Sequence, residues 1–425
     1  MPRGFYTIMA AQFFSSLADN ALLIAAIALL MQLSAPDWLP PYLKFFFVVS
    51  YVVLAPYVGA FADRLAKGDV MFISNTIKIG GCLAMLFGVD PLFAYALVGL
   101  GAAAYSPAKY GILTEYLPHN KLVAANGWIE GLTVGSIILG TVLGGVLIDP
   151  KVSSTLLGFD LPRFDTGVDT PAEAAIAIIA LVYAIAAAFN LFIPITGVEM
   201  KPLHAHPLAT LKDFSACCLR LWKDKLGQIS LAVTTLFWGA GATLQFIVIA
   251  WSDEALGFGL SQASILQGVV AAGIAAGAII ASLRVSLDRA VTVIPLGIAM
   301  GVIVICMNFV REIWVAIPLL ILIGGLAGFF VVPMNALLQH RGHHLMGAGR
   351  SIAVQNFNEN ASILIMIAGY SALIKNGISI YLAVTAFGLF VAGTMTLVRA
   401  WHGRNLRRHG DEVQALLAVA RSAHH

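Results

Sequence analysis

Charged residues are scarce in this chain of 425 residues: Asp, Glu, Lys and Arg together make up 11%, against roughly 25% in an ordinary soluble domain. Hydrophobic residues make up 59% of the chain, and the mean hydropathy is +0.87. This balance excludes a soluble domain and indicates a protein that crosses a membrane many times. The net charge of +3 is small, and we expect no nucleic-acid partner.

Cysteines and catalytic motifs are also few. The four cysteines offer no disulfide framework, because two lie in apolar runs and the adjacent pair Cys217 and Cys218 falls in a predicted cytoplasmic loop. The chain has no His-x-x-x-x-Asp acyltransferase box, no Gly-x-Ser-x-Gly elbow and no Walker loop. The histidines His340, His343 and His344 have no carboxylate or thiol beside them in sequence. We therefore expect no enzyme activity, no cofactor and no metal.

Long apolar runs divide the chain. About 20 apolar residues cross a hydrocarbon layer of about 30 Å, and windows of that length predict an all-α integral membrane protein with twelve transmembrane helices. The first run is too long for a signal-peptide core and has no cleavage pattern, so we expect it to be retained. The predicted spans cover residues 8–33, 43–62, 71–89, 92–113, 122–148, 172–196, 228–251, 262–285, 291–310, 314–338, 351–375 and 379–399.

The distribution of Lys and Arg orients these spans. With both termini cytoplasmic, most of the 25 Lys and Arg residues fall in inner segments, as the positive-inside rule requires. Those that fall in outer loops are Lys44, Lys151, Arg163, Arg311 and Lys375. We therefore predict a multi-pass protein of the bacterial inner membrane whose termini both lie in the cytoplasm.

A longer loop divides the spans six and six. We predict an N-terminal six-helix bundle over 1–196, a cytoplasmic linker over 197–227, a C-terminal six-helix bundle over 228–400 and a basic cytoplasmic tail over 401–425. In the linker, apolar residues recur at three- and four-residue steps with basic residues between them, which is typical of a helix lying on the inner membrane face. It acts as a connector or, alternatively, as a regulatory or docking element.

The outer loop at 149–171 is rich in Pro, Gly, Asp and Thr. We predict a plain solvated loop there, with a cap as the alternative.

Ionisable residues lie well inside five of the predicted spans: Asp19, Lys78, Lys109, Glu130 and Glu359. Each costs about 2.5–3.5 kcal/mol if it faces lipid, so we expect these side chains to face a wet cavity or one another. All except Glu359 belong to the first half, although the two halves resemble an internal repeat. Charges at a repeat interface near the middle of the membrane are typical of a secondary transporter. A lysine that pairs with a carboxylate only to brace helices is the alternative.

The junction between the second and third spans reads VGAFADRLAKGDVM. Gly59, Asp63 and Arg64 resemble the Gly-x-x-x-Asp-Arg element of the major facilitator superfamily, and Asp288 with Arg289 forms a weaker echo in the second half. The resemblance implies the major facilitator fold of two pseudo-symmetric six-helix bundles, with Gly59, Asp63 and Arg64 in a cytoplasmic gate. The match is partial, because the residues after Arg64 depart from the usual Gly and basic pair.

Three longer strings carry a narrower resemblance. AQFFSSLADNALLIA, AAAYSPAKYGILTEYLP, and FFVVPMNALLQHRG with AVQNFNENAS are similar to the bacterial lysophospholipid transporter family over nearly the whole chain. That family implies inward movement of lysophospholipids, notably lysophosphatidylethanolamine, across the inner membrane by facilitated diffusion. An acyl-carrier-protein-dependent acyltransferase then re-acylates them. The chain departs from the family at Gln245, where members carry Arg.

A lysophosphatidylethanolamine headgroup has a phosphate and an ammonium a few ångströms apart. Lys109 or Lys78 would take the phosphate, the carboxylates would take the ammonium, and the amides would hydrogen-bond the glycerol. The predicted substrate-binding residues are Asp19, Asn20, Lys78, Lys109, Tyr110, Asn126, Glu130, Gln355, Asn356 and Glu359.

Two other functions compete with this one. Carboxylates at mid-depth are also used by ion-coupled carriers, so a major facilitator exporter of drugs or small amphiphilic metabolites is the alternative. A membrane lipid-modifying enzyme is disfavoured by the missing motifs. The expected partners are the lysophospholipid substrate, membrane lipids and an acyltransferase of the kind named above. The protein is expected to be a monomer.

Overall fold

The computed structural model describes residues 3–117, 122–158, 168–197, 207–346 and 348–422. Apart from turns and short connections, these residues are helical. They form two compact units, one within Met1–Pro207 and Phe258–Gly268 and the other within Leu208–Gly257 and Val269–His425. All four cysteines are free thiols.

The first unit is built on α1, the longest of its helices, which packs against α6 and α8. Helix α4 packs against α5 and α8, and α2 packs against α5. These helices cover α1 Arg3–Gln32, α2 Pro40–Val53, α3 Ala55–Arg64, α4 Lys67–Leu86, α5 Pro91–Tyr116, α6 Leu122–Leu147, α7 Pro150–Leu157 and α8 Pro171–Leu191.

In the second unit α10 packs against α13, α14 and α15, and α12 packs against α13 and α15. A 3₁₀ segment at Leu287–Val293 precedes α12, and another at Cys306–Phe309 follows it. The helices from α9 onward are α9 Pro207–Lys223, α10 Gly227–Leu256, α11 Leu260–Arg284, α12 Ile294–Ile305, α13 Ile313–Met346, α14 Ala348–Lys375, α15 Ile380–Arg408 and α16 Gly410–Ser422. The part of α11 up to Gly268 belongs to the first unit.

Each of the twelve predicted spans coincides with helical structure, but not every one is a single long helix. Among the described residues, ten helices are long and apolar enough to cross a membrane, or eleven if the bent pair Gly135–Leu147 and Pro150–Leu157 counts as one. The span predicted at 43–62 is divided into α2 and α3 at Leu54. Pro56 lies in the first turn of α3, where the missing proline N–H costs least.

The outer loop predicted at 149–171 is partly helical, which corrects that prediction. Helix α7 begins at Pro150, and the Asp149 side chain accepts a hydrogen bond from the Lys151 backbone N–H at 3.0 Å. The direction of the chain changes by 68° between Gly135–Leu147 and α7. An acidic cap followed by proline is a strong helix start, and it ends the span sharply.

Small residues allow close contact between helices. A Cβ built on Gly277 of α11 would overlap the Gly325 backbone of α13, and one on Gly144 of α6 would lie 2.7 Å from the Ala21 carbonyl of α1. The sequence predicts such contacts from glycines spaced four residues apart.

We expect Gly277→Ala to destabilise the protein by about 1–3 kcal/mol, because the backbone of α13 must move to admit a methyl group. Thermal unfolding of the purified protein in detergent measures the effect. Gly393→Ala is the matched control, since a Cβ there meets open space. Equal melting temperatures for the two variants would contradict the tight α11–α13 contact.

Candidate functional site

Helix α1 places several polar residues on one face. Gln12, Ser15 and Asp19 follow one another at steps of three and four residues, so they lie along one side of the helix. Gln12 and Ser15 are buried, and Asp19 is partly exposed. Because α1 packs against α6 and α8, these side chains point into the first unit rather than into lipid.

Asp19 forms an ion pair with Lys78 of α4. The Lys78 Nζ atom lies 2.9 Å from each carboxylate oxygen of Asp19. The Tyr183 hydroxyl of α8 donates a hydrogen bond of 2.6 Å to Asp19 Oδ1. Three helices are thus joined at one carboxylate.

The ammonium group of Lys78 is enclosed. Its Nζ also donates to Ser15 Oγ at 3.0 Å, and Ser15 Oγ donates to Asn75 Oδ1 at 2.8 Å. The rings of Tyr105 and Tyr183 lie 5.1 Å and 5.4 Å from the nitrogen, within cation–π range. The Lys78 side chain is 1% exposed, whereas that of Asp19 is 22% exposed. The accessible group of the pair is therefore the carboxylate.

Lys109 of α5 belongs to a second polar cluster in the same unit. Its Nζ atom lies 3.5 Å from Thr133 Oγ1 on α6, and Gln12 Nε2 lies 3.4 Å from the same oxygen. Lys109 is buried. Gln12 and Asp19 are seven residues apart on α1, which corresponds to about 10 Å along the helix axis. A buried cation and a partly exposed carboxylate thus mark the two ends of one polar track.

The second unit has a polar cluster of its own. The Gln355 amide on α14 donates to Asn335 Oδ1 of α13 at 2.6 Å and to Glu359 Oε1 at 2.8 Å. Asn356 is partly buried, and its carbonyl accepts from Asn360. Gln355 and Glu359, which lie one turn apart on α14, are therefore brought together by a hydrogen bond.

Some predicted site residues have side chains outside the described part of the structure: Tyr110, Asn126 and Glu130 among the substrate-binding residues, and Gly59, Asp63 and Arg64 in the gate. Their roles stay predictions. Asn20 is described, and its amide donates to the Ser16 carbonyl at 2.8 Å.

Lys67, which follows the predicted gate element, is buried at the start of α4. Its Nζ atom donates to the Ala62 carbonyl at 2.7 Å and lies 3.4 Å from Glu115 Oε1 of α5. A lysine that binds a carbonyl near a helix C-terminus satisfies one of the last acceptors of that helix. Lys67 therefore fixes the turn between α3 and α4 to α5.

The polar groups around Asp19 and Lys109 that were not predicted from the sequence are neutral. They are Gln12, Ser15, Asn75, Thr133 and Tyr183. Gln12 and Ser15 had a detectable signal, namely their spacing from Asp19 on α1. Tyr183 lies 164 positions from Asp19 in the chain, and the residues around it, 174–189, are otherwise apolar, so nothing local indicates the contact.

Comparisons with known proteins agree with this architecture. Residues 8–366 match the family model described as Major Facilitator Superfamily. The chain is 44% identical to Lysophospholipid transporter LplT of Yersinia enterocolitica over 381 residues, which cover 89% of each chain. It is also 44% identical to the protein of that name in Yersinia pestis, over 89% of this chain and 88% of the relative. The chain belongs to the lysophospholipid transporter family of the major facilitator superfamily.

Solved structures of other major facilitator superfamily transporters show the same fold. A POT family transporter in complex with 5-aminolevulinic acid has a TM-score of 0.70 at 14% identity and covers 95% of this chain and 97% of its own. A bacterial homologue of the lysosomal transporter Spinster has a TM-score of 0.61 at 16% identity, over 99% and 96%. The predicted fold class and family are confirmed.

Proposed function

We propose that this superfamily member moves lysophospholipids, notably lysophosphatidylethanolamine, inward across the bacterial inner membrane by facilitated diffusion. The observation that carries the proposal is the 44% identity, over 89% of the chain, to relatives named lysophospholipid transporters. The polar track of the first unit supports it, because a transported headgroup needs polar partners within the membrane. The chemical bonds of the substrate stay intact in this process.

The two ends of the track suit the two charges of the headgroup. The exposed edge of Asp19 receives the ammonium, since its partner Lys78 is enclosed and presents no open face. Lys109 receives the phosphate. The glycerol between them hydrogen-bonds to neutral groups such as Gln12 and Thr133. This assignment narrows the sequence-based hypothesis, in which Lys78 was an equal candidate for the phosphate.

We expect Lys109→Gln to lower uptake of lysophosphatidylethanolamine by about 10-fold to 100-fold, because a hydrogen bond to a charged group contributes about 1.5–3 kcal/mol. Lysophosphatidylglycerol has the phosphate but no ammonium, so its uptake should fall to the same extent. Initial rates with labelled lysolipid in proteoliposomes measure both. Lys151→Gln, at an exposed position on α7, is the control. Uptake by Lys109→Gln equal to that of the control would contradict a phosphate role.

The proposed function itself is tested by uptake into proteoliposomes with three lipids compared: lysophosphatidylethanolamine, lysophosphatidylcholine and diacyl phosphatidylethanolamine. Uptake of the first, unchanged when ion gradients are dissipated, supports facilitated diffusion. Loss of uptake on dissipation would favour an ion-coupled carrier, and transport of small drugs in place of lysolipid would overturn the proposal. Analysis of the lipids recovered afterwards, with an acyl donor present, tests whether any are chemically altered.

The place of the protein in the cell is part of the same proposal. Both termini of the protein lie in the cytoplasm. Lysolipid delivered to the inner leaflet meets an acyl-carrier-protein-dependent acyltransferase, which restores the second acyl chain. We propose that the transporter works as a monomer. Light scattering of the purified protein and tags attached to either terminus test the oligomeric state and the orientation.

A further inference from the structure

Helix α9 packs on one side against other helices of the second unit. The Phe214 and Phe357 ring centroids are 5.4 Å apart, and the Trp222 ring stacks on Trp401 at 6.4 Å. Trp222 Nε1 also donates to Asn358 Oδ1 at 3.1 Å. These contacts, together with buried Leu221, fix the rotation of α9 about its own axis.

The side of α9 opposite the buried Cys217 and Leu221 combines apolar and basic residues. Leu208 is 68% exposed and Leu219 is 54% exposed. Each is followed one turn later by an exposed lysine, so that Leu208 precedes Lys212 and Leu219 precedes Lys223. We call these four residues, with the exposed Leu211 between them, the interface stripe. Leucines beside lysines on one side of a helix are typical of helices that lie in the membrane interface.

The position of α9 in the chain places its end at the membrane surface. The last residue of α9 is Lys223, and the apolar span α10 begins at Gly227. The four-residue step from Gly227 back to Lys223 reaches only a short distance beyond the hydrocarbon core, into the headgroup layer. Lys223, at the end of α9, is therefore at the depth of lipid phosphates.

More positive charge lies beside α9. The carbonyl of Lys225, just after α9, accepts from the Asn405 amide at 3.3 Å, which holds the end of α15 nearby. Arg404, Arg407 and Arg408 are exposed in this part of α15. The acidic residue of α9, Asp213, has a cation of its own, since Arg350 lies 3.5 Å away. Exposed basic residues thus lie near the C-terminal end of the stripe.

We propose that the interface stripe binds anionic phospholipid headgroups of the surrounding leaflet. The leucines enter the boundary of the acyl chains, and Lys212 and Lys223 pair with lipid phosphates. Bound lipid thereby holds α9 against the other helices of the second unit. This inference concerns resident diacyl lipids and does not depend on the substrate that the protein carries.

Lipid binding by the purified full-length protein tests the charged part of the proposal. Dioleoyl phosphatidylglycerol should bind more tightly than dioleoyl phosphatidylcholine in a titration followed by native mass spectrometry. Each lysine near an anionic surface contributes about fivefold in affinity, so Lys212→Gln with Lys223→Gln should weaken phosphatidylglycerol binding about 30-fold. Lys151→Gln, which removes a lysine from the first unit, should change it little. Equal binding of the two lipids, or an unaltered affinity in the double variant, would overturn the proposal.

The apolar part is tested by a photo-crosslinking amino acid at Leu219 in native membranes. We expect a phospholipid adduct there. At Asp213, which is exposed and lies about 120° around the helix, the lipid adduct should be several-fold weaker. A protein adduct at Leu219, or equal lipid adducts at both positions, would show that the stripe does not face lipid.

Discussion

Replacing Asp19 with Asn should lower uptake of lysophosphatidylethanolamine by at least about tenfold, because the ammonium loses a charged acceptor worth about 1.5–3 kcal/mol. The same change leaves Lys78 buried without its counter-charge, which destabilises a folded protein by about 3–5 kcal/mol. Initial uptake rates and thermal unfolding separate the two effects. Asp253→Asn, the same chemical change at an exposed position of α10, is the control.

A double variant decides whether the pair binds substrate or only braces helices. Asp19→Asn with Lys78→Gln removes both charges, so stability should recover while uptake of lysophosphatidylethanolamine stays low. Uptake of lysophosphatidylglycerol, which has no ammonium, should recover further than uptake of lysophosphatidylethanolamine. If the double variant transports lysophosphatidylethanolamine at the normal rate, then the pair serves only to join α1 to α4, and the headgroup assignment is wrong.

Replacing Arg341 with Met should destabilise the second unit by about 3–5 kcal/mol. Arg341 of α13 forms two hydrogen bonds to Asp224, at 2.6 Å and 3.1 Å, and the two side chains are only 7% and 8% exposed. Asp224 Oδ1 also accepts from the backbone N–H of Gly227, the first residue of α10, at 2.7 Å. Loss of Arg341 therefore leaves a buried carboxylate with its cation missing. A lower melting temperature in detergent measures the effect.

Arg350→Met is the matched control for this prediction. Arg350 lies 3.5 Å from Asp213, but both side chains are more than half exposed, and exposed pairs contribute about 0–1 kcal/mol. The melting temperature should therefore hardly change. Similar losses in the two variants would show that burial of the Arg341–Asp224 pair adds nothing to its strength.

The sequence was sufficient for the spans because a membrane imposes one length and one composition on every crossing helix. The prediction from sequence was wrong where a few residues favour the start of a helix although the average composition of the segment favours a loop. The loop after the fifth span looked solvated by its Pro, Gly and Asp content, yet Asp149 and Pro150 are the residues that begin a helix. In the second span, Pro56 was the one residue in the sequence that indicated the division at Leu54.

The charged residues of the site were predictable, but their partners were not. Asp19 and Lys78 stand out because isolated charges in apolar runs are costly. Which charges meet depends on the rotation and registry of α1, α4 and α8, which no local pattern encodes. For the same reason Lys78 looked available to a phosphate until its contacts with Ser15 and two tyrosine rings were seen.

The neutralised pair at Asp19 also bears on energetics across the bilayer. A carrier that moves one net charge through a membrane potential gains or loses about 2.3 kcal/mol per 100 mV. The charges of Asp19 and Lys78 cancel, and a zwitterionic lipid adds no net charge. The pair with its ligand therefore experiences no electrical work, and voltage neither drives nor opposes this part of the cycle.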